Sequence, residues 1–247
     1  MFDTDFRNKT ILITGASSGI GRQTAIDLSI LGAKLILVGR DLLKLKETQN
    51  LCSLQSPIII MGRDVTDESF PEEIVNILTS PLNGIVLNAG AVKVAPVAFL
   101  KRQDVDSLFE VNVKSNILLM QSLLRKKKIQ KEASVVFISS ISTVKATVGN
   151  ALYNATKGAL SSFAQSLALE LAPKGIRVNT LLPGYIDTNI LGRVRSEEEV
   201  EKHLSNYPLG RFGQPKDVSN LICFLLSDGS KWITGSQIKI DGGFSIH

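Results

Sequence analysis

Histidine and cysteine are scarce in this chain of 247 residues, two of each: His203 and His247, Cys52 and Cys223. A zinc site draws three or four ligands from His, Cys and carboxylates. This supply excludes metal catalysis by a histidine or cysteine cluster, and no metal ligand is assigned. Two cysteines among apolar neighbours make no disulfide framework and read as small buried hydrophobes. Long apolar runs are missing too. Runs such as 58–61 and 222–226 fall far short of the roughly 20 residues that span a bilayer. The first ten residues, MFDTDFRNKT, are polar and mixed in charge, with no signal-length apolar stretch behind them. The expectation is a cytoplasmic chain with no membrane partner.

An excess of one charge is also small. Lys and Arg number 28 against 23 Asp and Glu, a net +5, modest for this length. No aromatic interleaving or nucleic-acid motif accompanies it, so no nucleic-acid partner is expected. The one dense run, Arg125-Lys126-Lys127-Lys128 followed by Lys131, reads as the solvated last turn of a helix, where cations are favoured. Its second reading is a dock for an acidic partner.

What is present is alternation. Short runs rich in Ile, Val and Leu at 10–14, 34–38, 57–61, 84–88, 134–139, 177–182 and 237–240 read as strands covered on both faces. Between them, apolar residues recur at three- and four-residue spacing over 19–31, 41–52, 67–78, 101–128, 150–171 and 215–226. This order implies right-handed βαβ crossovers and one parallel sheet between helical layers, an α/β fold in a single domain. Only 185–213 breaks the rhythm. Bounded by Pro183-Gly184 and Pro208-Leu209-Gly210, it reads as a substrate lid.

Straight after the first strand comes TGASSGIG at 14–21, with glycines at 15, 19 and 21. Glycine permits the tight turn and close backbone approach, and the helix that follows points free N–H groups at whatever sits there. Placed between a strand and a helix, the pattern reads as a dinucleotide-binding fingerprint through Gly15, Ser17, Ser18, Gly19, Ile20 and Gly21. At the end of the second strand, NAD binding calls for an acid and a 2′-phosphate calls for an arginine. The chain has Gly39-Arg40-Asp41 there. Gly39 offers no carboxylate, Arg40 suits a phosphate, and Asp41 reads as the N-cap of the next helix. NADP(H) is therefore expected over NAD(H). Asp64-Val65 and Asn88-Ala89-Gly90 close the third and fourth strands and fit the adenosine side of the same cleft.

Tyr153 and Lys157 stand four apart on one helical face. A phenol is a poor acid–base group at neutral pH, but a nearby ammonium and an oxidised nicotinamide favour the phenolate. A tyrosine so tuned passes a proton to a carbonyl oxygen or takes one from an alcohol.

Together TGASSGIG, Asn88-Ala89-Gly90, Asn112, Ser139-Ser140, YNATK at 153–157, Pro183-Gly184, Ile233-Thr234-Gly235 and Asp241-Gly242-Gly243 resemble the short-chain dehydrogenase/reductase family over essentially the whole chain. The resemblance implies a doubly wound Rossmann fold of seven parallel strands in the order 3-2-1-4-5-6-7, a nicotinamide cofactor and a catalytic tetrad. By position Tyr153 is the acid–base residue, and Lys157 holds the nicotinamide ribose and lowers the tyrosine pKa. Ser140 steadies the substrate oxygen, with Ser139 and Ser142 its rivals. Asn112, by residue type a poor helix former on a polar face, takes the place of the family's helix-kinking asparagine, which anchors a water leading to Lys157. Pro183, Gly184, Ile186 and Thr188 sit where the family closes over the nicotinamide amide. Three places depart from the pattern: Ser18 stands where NADP-binding members often carry a base, Leu87-Asn88-Ala89-Gly90 lacks the double asparagine of reductases of acyl-carrier-protein thioesters, and Leu169 stands near an arginine that those reductases use.

The implied activity moves hydride between NADP(H) and a carbonyl or secondary alcohol carbon, with reduction of a ketone expected and a 3-oxoacyl thioester among the candidate substrates. An acyl-carrier protein is a candidate partner, with the basic run at 125–131 as a substitute dock. Val92, Val94 and Val97, in the loop at 91–99, point to a partly apolar substrate pocket. The alternative is a dinucleotide-sensing regulator that kept the fold and lost catalysis, from which loss of Tyr153 or Lys157 would be expected. Small residues on several faces of 150–171, with the long 101–128 helix, resemble the four-helix interface of a homotetramer.

Overall fold

The computed structural model describes residues 5–187 and 204–246. Seven strands form one wholly parallel sheet: β1 (Thr10–Thr14), β2 (Lys34–Gly39), β3 (Ile58–Gly62), β4 (Leu82–Leu87), β5 (Ile129–Ile138), β6 (Arg177–Pro183) and β7 (Gln237–Ile240), in the order β3-β2-β1-β4-β5-β6-β7. The sequence of helices is α1 (Gly19–Ile30), α2 (Leu42–Leu51), α3 (Phe70–Ile77), α4 (Arg102–Phe109), α5 (Ser115–Arg125), α6 (Ala151–Leu171) and α7 (Pro215–Leu226). None of the described helices is long and apolar enough to cross a membrane.

Alternate residues of each strand serve opposite faces. Leu12, Val135 and Phe137 join α3, α5 and α6 in one core, with Ile74, Leu119 and Leu160 among its buried side chains. Ile11, Ile13, Val136 and Ile138 join α1, α2 and α7 in the other, against Leu28, Leu45 and Ile222. A strand apolar on both faces is buried on both, which is why these runs show little polar alternation. Asp41 caps α2 as expected, its carboxylate accepting from the Lys44 N–H at 3.1 Å.

Two elements differ from the sequence expectation. The helix expected over 101–128 is broken by a π-helical turn, Glu110–Lys114, between α4 and α5. Strand β5 starts at Ile129 rather than 134, because Ile129 pairs with Leu82 at the sheet's far end and the polar Gln130-Lys131-Glu132 bulge out of register before pairing resumes at Ser134. Only the first shapes the cleft, from behind, through Asn112. The strand ends at residues 14, 39, 62, 87, 138 and 183 all face one side, where ligands of open α/β sheets bind.

Candidate active site

The turn after β1 is built to let a ligand lie close to backbone. Gly15 has φ +67°, and a Cβ there would come within 2.7 Å of Asn88 Nδ2 and 3.0 Å of the Ala89 backbone. A Cβ at Gly21 would collide with the Gly15 carbonyl. Asn88 holds the turn shut: its Nδ2 donates to the carbonyls of Thr14 and Gly15, both at 3.1 Å. Thr14 Oγ1 accepts in return from the N–H groups of Asn88 and Ala89. Ser18 occupies the N-cap of α1 without a side-chain hydrogen bond to its first turn. The helix therefore presents uncapped N–H groups to the cleft, and a pyrophosphate fits there by charge and by space.

The cleft measures about 410 Å³ and runs along the strand ends from Arg40 to Ile186. Ser17, Ser18, Gly19, Ile20, Asp64, Val65, Asn88, Ala89, Gly90, Pro183 and Gly184 all line it, as the sequence placed them. Gly39 is glycine for a local reason: a Cβ there would stand 3.2 Å from Ser17 Oγ and 3.4 Å from Leu45 Cδ2. An acid at this position would have to push neighbours aside. Arg40 extends into solvent with Nη1 3.9 Å from Asp64 Oδ2, while Asp64 Oδ1 accepts from Thr66 N–H and Oγ1. Arg63 also lines this wall, with Nε donating to Glu73 at 2.7 Å. Sequence reading passed over it, although a base directly before Asp64 was there to notice.

At the other end, α6 brings Tyr153 and Lys157 to the cleft wall. Lys157 Nζ is buried, donates to the Ile138 carbonyl at 2.8 Å, and lies 5.8 Å from the Tyr153 ring centroid. Burial lowers its pKa to about 8, so at neutral pH most of it still carries a proton. Tyr153 is pushed up from the ordinary phenol value by burial, with a hydrogen bond to Ser140 pulling the other way. In the protein by itself burial wins, and Tyr153 is a protonated acid at neutral pH. The sequence expectation that Lys157 holds this pKa down finds no counterpart in the protein alone, because the cost of desolvating a phenolate dominates.

The three rival serines differ in place: Ser139 lines the cleft, while Ser140 and Ser142 belong to the short turn that follows β5. Ser139 is buried and donates to the Lys157 carbonyl at 3.0 Å, while Ser161 Oγ donates to it; it ties β5 to α6. Ser140 caps the short turn after β5, its Oγ accepting from the Ser142 N–H at 3.2 Å, and of the three it is the one that pulls the Tyr153 phenol down. Ser142 lies behind Ser140, with its Oγ donating to Ser140 Oγ at 2.8 Å.

Asn112 is fully buried in the π turn, not on a polar face. Its amide grips the loop after β4 from both sides, Nδ2 donating to Ala91 O at 2.9 Å and Oδ1 accepting from Ala91 N–H at 2.8 Å. Nδ2 also donates to Thr156 Oγ1 at 3.0 Å on α6. Asn112 thus fixes the distance between that loop and the helix of Tyr153. Gly90 fits the narrow gap: a Cβ there would lie 3.1 Å from Asn112 Oδ1 and 3.2 Å from Lys157 Nζ.

Of the expected lid, 188–203 and with it Thr188 lie outside the described residues. Its two ends are tied together. Ile186 pairs with Gly213, the Asp187 N–H donates to Gly213 O at 2.7 Å, and Tyr207 Oη accepts from the Tyr185 N–H at 3.3 Å. Tyr185, Tyr207, Phe212 and Phe244 pack as one aromatic cluster beneath.

A doubly wound sheet with a glycine-lined nucleotide cleft and a Ser–Tyr–Lys group at its end defines a nicotinamide-type oxidoreductase. The comparisons place it further. The family profile described as "Enoyl-(Acyl carrier protein) reductase" matches residues 15–245. The chain is 35% identical over 241 residues to the 3-oxoacyl-(acyl-carrier-protein) reductase FabG of Rickettsia prowazekii, covering 97% of this chain and 98% of that one. It is 36% identical over 251 residues to an L-xylulose reductase of Caenorhabditis elegans, covering 98% and 97%. A short-chain type dehydrogenase/reductase from Mycobacterium ulcerans superposes with a TM-score of 0.90 at 29% identity, covering 98% of this chain and 92% of that one. The chain belongs to the short-chain dehydrogenase/reductase family, in a branch resembling 3-oxoacyl-acyl-carrier-protein reductases. It is an oxidoreductase acting on CH–OH and C=O groups, and it reduces ketones.

Proposed function

We propose that the chain is an NADPH-dependent ketone reductase in which Tyr153 donates the proton, Ser140 steadies the carbonyl oxygen, and Lys157 and Asn112 hold the geometry. The observation that carries this reading is Tyr153 on the cleft wall with the buried Lys157 one turn along the same helix, its Nζ 5.8 Å from the Tyr153 ring centroid. When bound, NADPH supplies the hydride to the carbonyl carbon. Tyr153 is protonated before the reaction, which suits reduction. Ser140 and Tyr153 both meet one oxygen, so charge that develops there is matched by two donors. That arrangement suits a C=O acceptor, whatever the range of substrates in the relatives' names.

The preference for NADPH is supported by Arg40 at the β2 end and by a glycine, which offers no carboxylate, at residue 39. The substrate side is apolar: Val92, Val94, Val97 and Phe99 stand exposed in the loop after β4. That loop is pinned to the turn before α6 by a hydrogen bond from Ala95 N–H to Gly149 O at 2.9 Å. This favours an apolar ketone and keeps a 3-oxoacyl thioester as a candidate, with an acyl-carrier protein as its possible bearer. The basic run offers that carrier no help, as it lies at the wrong end of the sheet. Arg125 ends α5 and Ile129 opens β5 opposite Leu82, while Phe137 stands opposite Leu87, so the run lies roughly 20 Å from Ile138 at the cleft. A cytoplasmic setting is part of the proposal. It is supported by the free thiols of Cys52 and Cys223, which reducing compartments preserve.

A panel of ketones, 3-oxoacyl thioesters and keto-sugars, followed by NADPH absorbance loss, should show turnover of apolar ketones first. Tyr153→Phe should abolish that turnover and leave the Kd for NADPH within about threefold. Retained turnover in this variant overturns the mechanism.

A further inference from the structure

Arg63 lines the nucleotide cleft but has no part in the function proposed above. It follows β3, and Gly62 at the end of that strand stands opposite Gly39 at the end of β2. Neighbouring strands lie about 4.8 Å apart, well within the reach of an arginine side chain. The Arg63 N–H fastens the residue to β2 by donating to the Gly39 carbonyl at 3.0 Å. Arg40 follows Gly39 directly, and its Nη1 stands 3.9 Å from Asp64, the residue after Arg63. Two guanidinium groups from adjacent strands therefore border one corner of the cleft.

The Arg63 side chain is held by one nitrogen only. Its Nε donates to Glu73 Oε2 at 2.7 Å, in the first turn of α3. Glu73 is itself fixed, its Oε1 accepting from Ser69 Oγ at 2.8 Å. The Ser69 hydroxyl and Arg63 hold the Glu73 carboxyl below the usual carboxylate range, so it is charged at neutral pH. Among the described residues no acceptor meets Nη1 or Nη2 of Arg63, and the side chain is 50% exposed. An arginine tethered at Nε keeps its planar fork of terminal N–H groups oriented and open to a ligand.

We infer that Arg63 is a second cofactor-specificity residue, whose terminal N–H groups bind the ribose 2′-phosphate of NADPH together with Arg40. The inference rests on the NADPH preference proposed above and deepens it. Guanidinium forks match the oxygens of a phosphate in pairs. The charge of the corner argues the same way. Arg40 and Arg63 face Asp64 and Glu73, so the four cancel, and Asp41 beside them pairs with Lys44 at 3.7 Å. Without Arg63 the corner would hold two carboxylates against one cation. That balance repels a phosphate monoester, which carries about −1.5 to −2 at neutral pH, and leaves the uncharged ribose hydroxyl of NADH unaffected.

The test is titration calorimetry of the chain with oxidised NADP and oxidised NAD, which differ only in the 2′-phosphate. The wild type should bind NADP the more tightly. Arg63→Ala should weaken NADP roughly tenfold, the loss of one charge-assisted hydrogen bond, and change NAD by less than about twofold. Glu73→Gln separates a phosphate ligand from a merely structural ion pair. Its amide oxygen still accepts from Nε while the opposing charge is gone, so NADP should bind as tightly as to the wild type or more tightly. An Arg63→Ala variant that weakens both nucleotides equally places Arg63 on the adenine or the fold and overturns the inference. So does one that weakens neither, or a Glu73→Gln variant that loses NADP as far as Arg63→Ala does. A wild-type chain that binds the two nucleotides alike overturns the NADPH preference itself, so that failure is distinguishable from a failure of Arg63 alone.

Discussion

Arg40 is the residue we propose to discriminate between the two nicotinamide cofactors, and its setting gives the reason. The guanidinium is 80% exposed and 3.9 Å from Asp64, a separation too long for a hydrogen bond. An exposed pair of this kind contributes little and is readily exchanged. A 2′-phosphate offers better, bidentate acceptors. Arg40→Ala should raise the KM for NADPH by roughly 10- to 100-fold, the equivalent of about 1.5–3 kcal/mol for a charged hydrogen bond, and leave the KM for NADH within about twofold. Equal effects on both would remove Arg40 from the phosphate site. At this scale the sequence was most readable where a side chain acts alone or along one helix. Tyr153 and Lys157 are such a pair, as their spacing sets them on one face. Arg63 and Ser142 were not readable in this way. Their neighbours are brought to them by separate elements or by a tight turn, and periodicity carries no record of either.

Among the elements, the π turn at Glu110–Lys114 shows how one buried amide organises the cleft. Helical periodicity ran unbroken across it, so the sequence read one long helix. The extra residue in the turn is specified by what Asn112 grips rather than by any local propensity. Removing that grip should be costly. Asn112→Ala leaves the Ala91 N–H and C=O without their partner, at about 1–3 kcal/mol for each buried group. For a domain of this size that corresponds to a fall in Tm of roughly 5–15 °C. The loop should also drift from α6, so kcat should fall more than tenfold even at temperatures where the variant is folded. Calorimetry and turnover on the same preparation check both. A variant with unchanged Tm and kcat would show that Ala91 is held by something else. The early start of β5 has a comparable origin: Ile129 pairs with Leu82 across an irregular stretch at Gln130–Glu132, and side-chain patterning is blind to such a bulge.

Across the whole molecule, one end of the sheet does chemistry while the basic run marks the other, and a third surface is left apolar and small. On α6, Ala151, Ala155 and Ser162 are exposed, and a Cβ on Gly158 would meet nothing within 4 Å. Leu169 is exposed at the far end of the same helix, and Val105, Phe109 and Leu118 flank it from α4 and α5. Small residues on an open helix let a second backbone approach closely, and a surface that meets its own copy closes on a two-fold axis. The sequence already showed small residues on several faces of this helix. It could not say which face the sheet would claim, because alanine serves a core and an interface equally well. With Leu160, Ala164 and Leu167 turned to the core, the opposite face is free for a partner. We propose that it forms one of two interfaces of a tetramer of four 26.8 kDa chains. Light scattering at micromolar concentration should then give a mass of about 107 kDa by that multiplication. Ala155→Arg should place a charge in the contact and halve the mass to a dimer, while the monomer fold, read by circular dichroism, stays intact. A wild-type chain that scatters as a monomer, or an arginine variant that still assembles to the full mass, would place the apolar surface of α6 outside any self-contact.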